Sequence, residues 1–231
     1  MTTSGQLGLF ASPNPSEPLD LEVVTPWFDE PFFAVDVETT GLEAASNRII
    51  ELAMVPFNMP HQKAFSSLFC VGEALSPEIT NITGITDEML KGQPSFREMA
   101  DRIVALFKQV PFVVAYNAKF DRPFIESELA RVDRVLPEIP WVDPYVFICE
   151  LDRFKRGKKL SDSAKRWGVH LENAHRAQDD ARAAGELMLK LADKINLPNL
   201  DKLINQQKIW FWHNAHNISE YKKSTTWEIN R

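Results

Sequence analysis

Apolar side chains dominate three runs in the first third of the chain, residues 32–37, 49–57 and 64–71, with short polar breaks between them. Short runs rich in β-branched and aromatic residues predict strands, and such brief breaks suit an antiparallel meander. The spacing then changes. Phe96, Met99, Ile103, Leu106 and Phe107 fall on one face of a helix over 96–109. Residues 111–116 form a short β-rich run of the kind found in buried parallel strands, and a helix is expected over 120–131. A last short strand is predicted at 141–143, then helices at 145–154, 160–167 and 178–196. Three leading strands followed by alternating helix and strand predict an α/β fold, a mixed five-stranded sheet flanked by helices.

The ends read differently. Residues 1–30 hold Pro13, Pro15, Pro18 and Pro26 among Ser, Thr and Asn, the composition of a flexible tail. The main domain spans 31–196. Residues 197–231 form an extension carrying Trp210, Trp212 and Trp227, whose aromatics are expected to fold back on the body. Hydrophobic content of 44% and charged content of 25% are those of a soluble globular protein. No apolar run is long enough for a membrane span. Met-Thr-Thr-Ser-Gly-Gln at the start has neither a basic segment nor an apolar stretch, so a cytoplasmic protein without a secretory signal is expected. Cys70 and Cys149, each in an apolar segment, are read as buried free thiols. The formal net charge of −6 speaks against a sequence-independent nucleic-acid coat protein, yet not against a nuclease.

Candidate chemistry lies in three separated clusters. Asp36 and Glu38 sit two apart on the first strand and so share a face. Bare carboxylates placed together among apolar neighbours repel each other and lose hydration. A divalent cation removes both costs, which points to a metal-dependent enzyme. Asp121 follows a strand and opens a helix, at the sheet edge where α/β proteins place their chemistry. His175 and Asp180 are five apart, so His175 is expected on a loop and Asp180 in the first turns of an alanine-rich helix. Taken singly, these residues read as a solvated strand edge, a surface histidine and a carboxylate favoured by a helix dipole. Together, in this order and spacing, they form a pattern.

That pattern resembles the three motifs of the DEDD superfamily of 3′→5′ exonucleases, in the branch whose third motif carries histidine. The likeness covers roughly residues 32–192 and includes Thr39-Thr40-Gly41, Gly84-Ile85-Thr86, and Leu160-Ser161-Asp162 leading to Gly168-Val169. It implies an RNase H-like fold in which Asp36, Glu38, Asp121 and Asp180 hold two Mg²⁺ or Mn²⁺. Hard oxygen donors suit those ions. It also implies His175 as general base, and Thr39, Thr40, Leu42 and Asn117 as substrate contacts. Tyr116 stands where the family often has histidine. The implied substrate is a DNA 3′ end, single-stranded or frayed, in a bacterial or phage setting, with a DNA polymerase subunit as a candidate partner. RNA is the alternative substrate on the same fold. A non-catalytic module that keeps the fold is the alternative class.

Two further segments stand out. After Asp152, five cations occur within seven residues (Arg153, Lys155, Arg156, Lys158 and Lys159), either a solvated helix end or a phosphate-contacting surface. In the tail, Gln6, Leu7, Leu9 and Phe10 resemble the peptide by which bacterial replication and repair proteins dock on the DNA sliding clamp, with Gly8 departing from it. The flexible stretch from Phe10 to Phe32 would span a root-mean-square distance of about 25 Å, which could tether the body near an encircled primer end.

Overall fold

The structure, a computed structural model, describes residues 25–228. Strands β1 (Phe32–Thr39), β2 (Ile49–Phe57) and β3 (Phe65–Leu68) form the antiparallel meander. Helices α1 (Pro77–Thr83), α2 (Asp87–Leu90) and α3 (Phe96–Phe107) follow. Then come β4 (Phe112–Val114), α4 (Asp121–Ala130), β5 (Trp141–Val142) and α5 (Pro144–Leu151). Helices α6 (Leu160–Trp167), α7 (Ala177–Ile195) and α8 (Leu200–Glu228) complete the described chain. The sheet order is β3-β2-β1-β4-β5, with β1–β4 and β4–β5 parallel. The sheet is therefore mixed and five-stranded, as the pattern predicts.

Local chemistry sets the element ends. Ser95 and Glu98 form a reciprocal capping box at the start of α3, and Ser76 and Thr86 cap α1 and α2. Gly84 and Gly168 close α1 and α6 in the left-handed conformation. Helices α1 and α2 lie outside the apolar pattern, because each is short. They rest on a small cluster built on Ile50, Ile85 and Leu90.

The strand β1 divides two cores. Phe33, Val35 and Val37 face one core with Ile103, Phe107, Phe124 and Leu129 from α3 and α4. Phe32 and Ala34 face the other, with Phe147 of α5, Ala164 of α6 and Ala181, Leu187 and Leu191 of α7. Helices thus cover both faces. The even-numbered side chains of β1 are apolar at 32 and 34 and acidic at 36 and 38. By alternation both carboxylates share the α7 side, at the end where the strand leaves the core.

Four expectations change. The tail was expected to run to residue 30, yet Trp27 is buried in the second core and its N–H donates to the Pro198 carbonyl at 2.9 Å. An indole of that size buries too much apolar area to stay outside. Helix α5 stops at Leu151 rather than 154, so the five cations lie beyond it in a loop. Cys70 is exposed rather than buried, because β3 ends at Leu68 and leaves it on a loop; both thiols are free. Helix α8 folds back through Leu203 and Trp210, but Trp212 stays exposed. Gln6, Leu7, Leu9 and Phe10 lie outside the described residues. Among those described, no helix is long and apolar enough to cross a membrane.

Candidate active site

Because β1, β4 and β5 run parallel, their C-terminal ends open at one edge of the sheet, the usual place for chemistry in such folds. A cleft of about 760 Å³ lies there, and its wall includes Asp36, Glu38, Asp121, His175 and Asp180. Residues from three distant segments therefore meet. The Val37 N–H, between the two β1 carboxylates, donates to Asp121 Oδ1 at 3.1 Å. That bond fixes the first residue of α4 against β1. Asp180, in the first turn of α7, accepts the His175 N–H on Oδ2 at 2.9 Å. The bond holds His175 at φ 70°, on the loop before the helix. Donor atoms of Glu38, His175 and Asp180 all lie within 4.8 Å of one another.

The electrostatics are those of an acidic site in want of a counter-charge. Burial, then the charges of Asp121, Asp180 and Glu38, push the Asp36 carboxyl well above its ordinary range. Burial, followed by Asp180 and Glu51, raises Glu38 to about 8. Asp121 is raised well above its usual value by burial, against the Val37 N–H that lowers it; Asp180 is also raised by burial. Asp180 Oδ1 is buried without a hydrogen-bond partner. A buried carboxylate oxygen left alone is costly. Clustered hard oxygens, one of them orphaned, fit a divalent cation without any change of residue.

Several supporting groups escape the sequence pattern. Glu51 on β2 lies directly across from Glu38, and like charges in that relation repel. It is buried and held by Arg176, with the Arg176 Nη2 at 3.1 Å from Oε1, while Oε2 accepts the Ala177 N–H at 3.3 Å. Glu51 thereby anchors the start of α7 beside His175. Its one visible signal is a lone charge within nine otherwise uncharged residues of β2. Asp143 follows β5, is buried, and accepts the N–H groups of Asn117 (2.8 Å), Ala118 (3.1 Å) and Tyr145 (2.9 Å). Burial raises its carboxyl to about 6 despite these donors. The cradle holds Asn117 at φ 65°, a conformation asparagine tolerates better than most residues. From α8, Gln207 accepts the Asp143 N–H at 2.7 Å and donates to the Trp141 carbonyl at 2.8 Å.

The expected substrate contacts divide. Asn117 is part of the cleft wall, beside Tyr116, Tyr145, Lys158 and Lys159. Thr39, Thr40 and Leu42 are not. The Thr39 hydroxyl donates to the Gly41 carbonyl at 2.6 Å, and Thr40 Oγ1 accepts the Arg48 N–H at 3.0 Å, so both stiffen the turn after β1. Leu42 is 81% exposed on that turn. The Tyr116 hydroxyl bonds the Lys158 carbonyl and Ser163 Oγ, tying the cationic loop to the end of β4.

The sequence model of a family described as exonuclease matches residues 33–188. The DNA polymerase III subunit epsilon of Treponema pallidum is 35% identical over 159 residues, covering 68% of this chain and 74% of that protein. A PolC-type DNA polymerase III of Halalkalibacterium halodurans is 34% identical over 175 residues, 74% of this chain but 12% of that much longer protein. A solved structure of exonuclease I superposes with a TM-score of 0.64 at 19% identity, over 77% of this chain and 43% of that one. Escherichia coli exonuclease I bound to a dT13 oligonucleotide gives 0.61 at 20% identity, over 71% of this chain and 41% of that one.

Proposed function

We propose, because this chain belongs to the exonuclease family, that it removes nucleotides stepwise from the 3′ end of DNA in replication proofreading or repair. The observation that carries this reading is the meeting of Asp36, Glu38, Asp121 and Asp180 around one cleft with a buried carboxylate oxygen left unpaired. Those four residues would hold two Mg²⁺ or Mn²⁺. When bound, such a pair neutralises the carboxylates and stabilises charge on both the attacking and the leaving oxygen of a phosphoryl displacement.

The chain's own groups supply the rest. His175, exposed at the mouth of the cleft, takes the proton of the attacking water and hands it to solvent. Its backbone bond to Asp180 sets where the ring starts from. Lys158 and Lys159, both part of the cleft wall, offset phosphate charge. Asn117, held by Asp143, positions the segment that carries Asp121. Leu42, exposed on the turn after β1, would meet the terminal base by the family analogy, with Thr39 and Thr40 shaping that turn. The products are a nucleoside 5′-monophosphate and a strand one nucleotide shorter with a free 3′-hydroxyl.

DNA as substrate draws support from the polymerase subunits among the relatives and from the oligonucleotide bound by exonuclease I. The deciding assay follows nucleotide release from 3′-labelled DNA and RNA oligomers with Mg²⁺, for the native chain and Asp36→Ala. Release from DNA by the native chain alone is expected. Preferential digestion of RNA would replace DNA with RNA, and no Mg²⁺-dependent release from either would leave a non-catalytic module. Docking of Gln6, Leu7, Leu9 and Phe10 on the sliding clamp would raise the local concentration of primer ends. Replacing Leu9 and Phe10 with alanine is expected to abolish clamp binding and leave cleavage of free DNA intact; unchanged clamp affinity would remove the tether.

A further inference from the structure

Phe154 is 93% exposed, the most open large apolar side chain among the described residues. It stands on the loop after α5, and that loop is held firmly. Asp152 Oδ2 accepts from Arg166 Nε at 2.6 Å and from Trp167 Nε1 at 3.0 Å, while the Lys158 ammonium bonds the Asp152 carbonyl. The other guanidinium nitrogens of Arg166 bond the carbonyls of Arg156 (3.2 Å) and Gly157 (2.8 Å). Gly157 turns at φ 72°, where a side chain would be strained. The far end of the loop supplies Lys158, Lys159, Leu160 and Ser161 to the cleft wall. Lys155, Arg156 and Lys159 are exposed and form no ion pair among the described residues. An aromatic ring is thus presented to solvent on a fixed, strongly cationic strip that runs into the active cleft.

We propose that this loop is a stacking platform for the single strand leading into the cleft. Phe154 takes the face of an unpaired base, and Lys155, Arg156 and Lys159 take the phosphates beside it. The assignment rests on the reading of the cleft as a nucleic-acid 3′-end site. Charge selects the partner: cations clustered on a chain of net charge −6 match a polyanion. An aromatic face accepts any base, so the contact adds affinity without sequence preference. Fixing the loop in advance lowers the ordering cost of that contact.

The test compares full-length native protein with Phe154→Ala, in Mg²⁺, on an oligothymidylate and on the p-nitrophenyl ester of thymidine 5′-monophosphate. The ester reaches the cleft but has no upstream strand. Phe154→Ala is expected to raise KM for the oligothymidylate roughly five- to hundredfold, with kcat, ester hydrolysis and melting temperature unchanged. Phe154→Trp is expected to restore KM, whereas Phe154→Leu does not. Replacing Lys155 and Arg156 with alanine should lower the slope of log affinity against log salt by about 1.4, two single-strand phosphates' worth. An unchanged oligothymidylate KM for Phe154→Ala overturns the platform. An equal loss on the ester also overturns it, because the fault then lies in the cleft. Native protein inert on both substrates overturns the cleft reading itself.

Discussion

The two carboxylate oxygens of Asp180 have different surroundings: Oδ2 accepts the His175 N–H, and Oδ1 is buried without a partner. Asparagine can keep the first bond through its amide oxygen while removing the charge. Asp180→Asn is therefore expected to raise the stability of metal-free protein by about 1 kcal/mol and to abolish nucleotide release. Thermal melting in EDTA beside the release assay checks both halves. A lower melting temperature would mean that the charge supports the fold. Asp36, Glu38, Asp121, His175 and Asp180 were legible through the order and spacing of their three clusters, a pattern that no one of them carries alone. Glu51 was not, since its partner Arg176 lies 125 residues away and only strand register makes Glu38 its neighbour. Thr39 and Thr40 were expected at the substrate through the family resemblance alone; nothing local along the chain reveals that their hydroxyls also bond within the turn after β1.

Helix α7 shows what an element must do to carry a side chain into the cleft. Its face toward the sheet is built from Ala177, Ala181, Ala184 and Gly185, all buried. At Gly185 a Cβ would stand 2.3 Å from the Phe57 ring and 3.0 Å from Ala34 Cβ, so the helix lies pressed on β1 and β2. Gly185→Val would lift that helix and shift Asp180 relative to Asp36 and Glu38. The expected outcome is a loss of about 1–3 kcal/mol from overpacking, read by denaturant unfolding, together with weaker metal binding read by calorimetry. Native metal affinity in a destabilised variant would uncouple helix seating from the site. The strands, α3, α4, α6 and α7 announce themselves through their apolar runs and residue spacing. The bond from Gln207 of α8 to Asp143 leaves no such trace, because a single amide on an amphipathic helix resembles any solvated position.

At the level of the whole molecule, folding buries four acids in one cleft, and their lost hydration, followed by repulsion from neighbouring carboxylates, opposes it. The Glu38 carboxyl moves from 4.5 to about 8, and Asp36, Asp121 and Asp180 move in the same direction. For a group raised on folding, the stabilising contribution is complete below the unfolded value and is lost as pH climbs through the folded one. Metal-free protein is therefore expected to lose melting temperature between about pH 5 and pH 8.5. Added Mg²⁺ should restore it most at the alkaline end, where fewer protons compete for the carboxylates. A flat profile in EDTA would contradict the crowding of charge described here. Reading along the chain supplies the crowding of Asp36 with Glu38, but not their coupling to Asp121 and Asp180, which depends on distances between segments.

The segment before β1 is stitched to the turn between α7 and α8: the Trp27 backbone N–H and indole N–H bond the carbonyls of Pro198 and Leu197 at 2.9 and 2.8 Å. The stitch fixes where α8 leaves the body, which lowers the freedom lost when Gln207 bonds the Asp143 N–H farther along that helix. Loosening the stitch would therefore be felt at the cleft wall, through Asp143 and the Asn117 N–H that it holds, 90 residues from Trp27 along the chain.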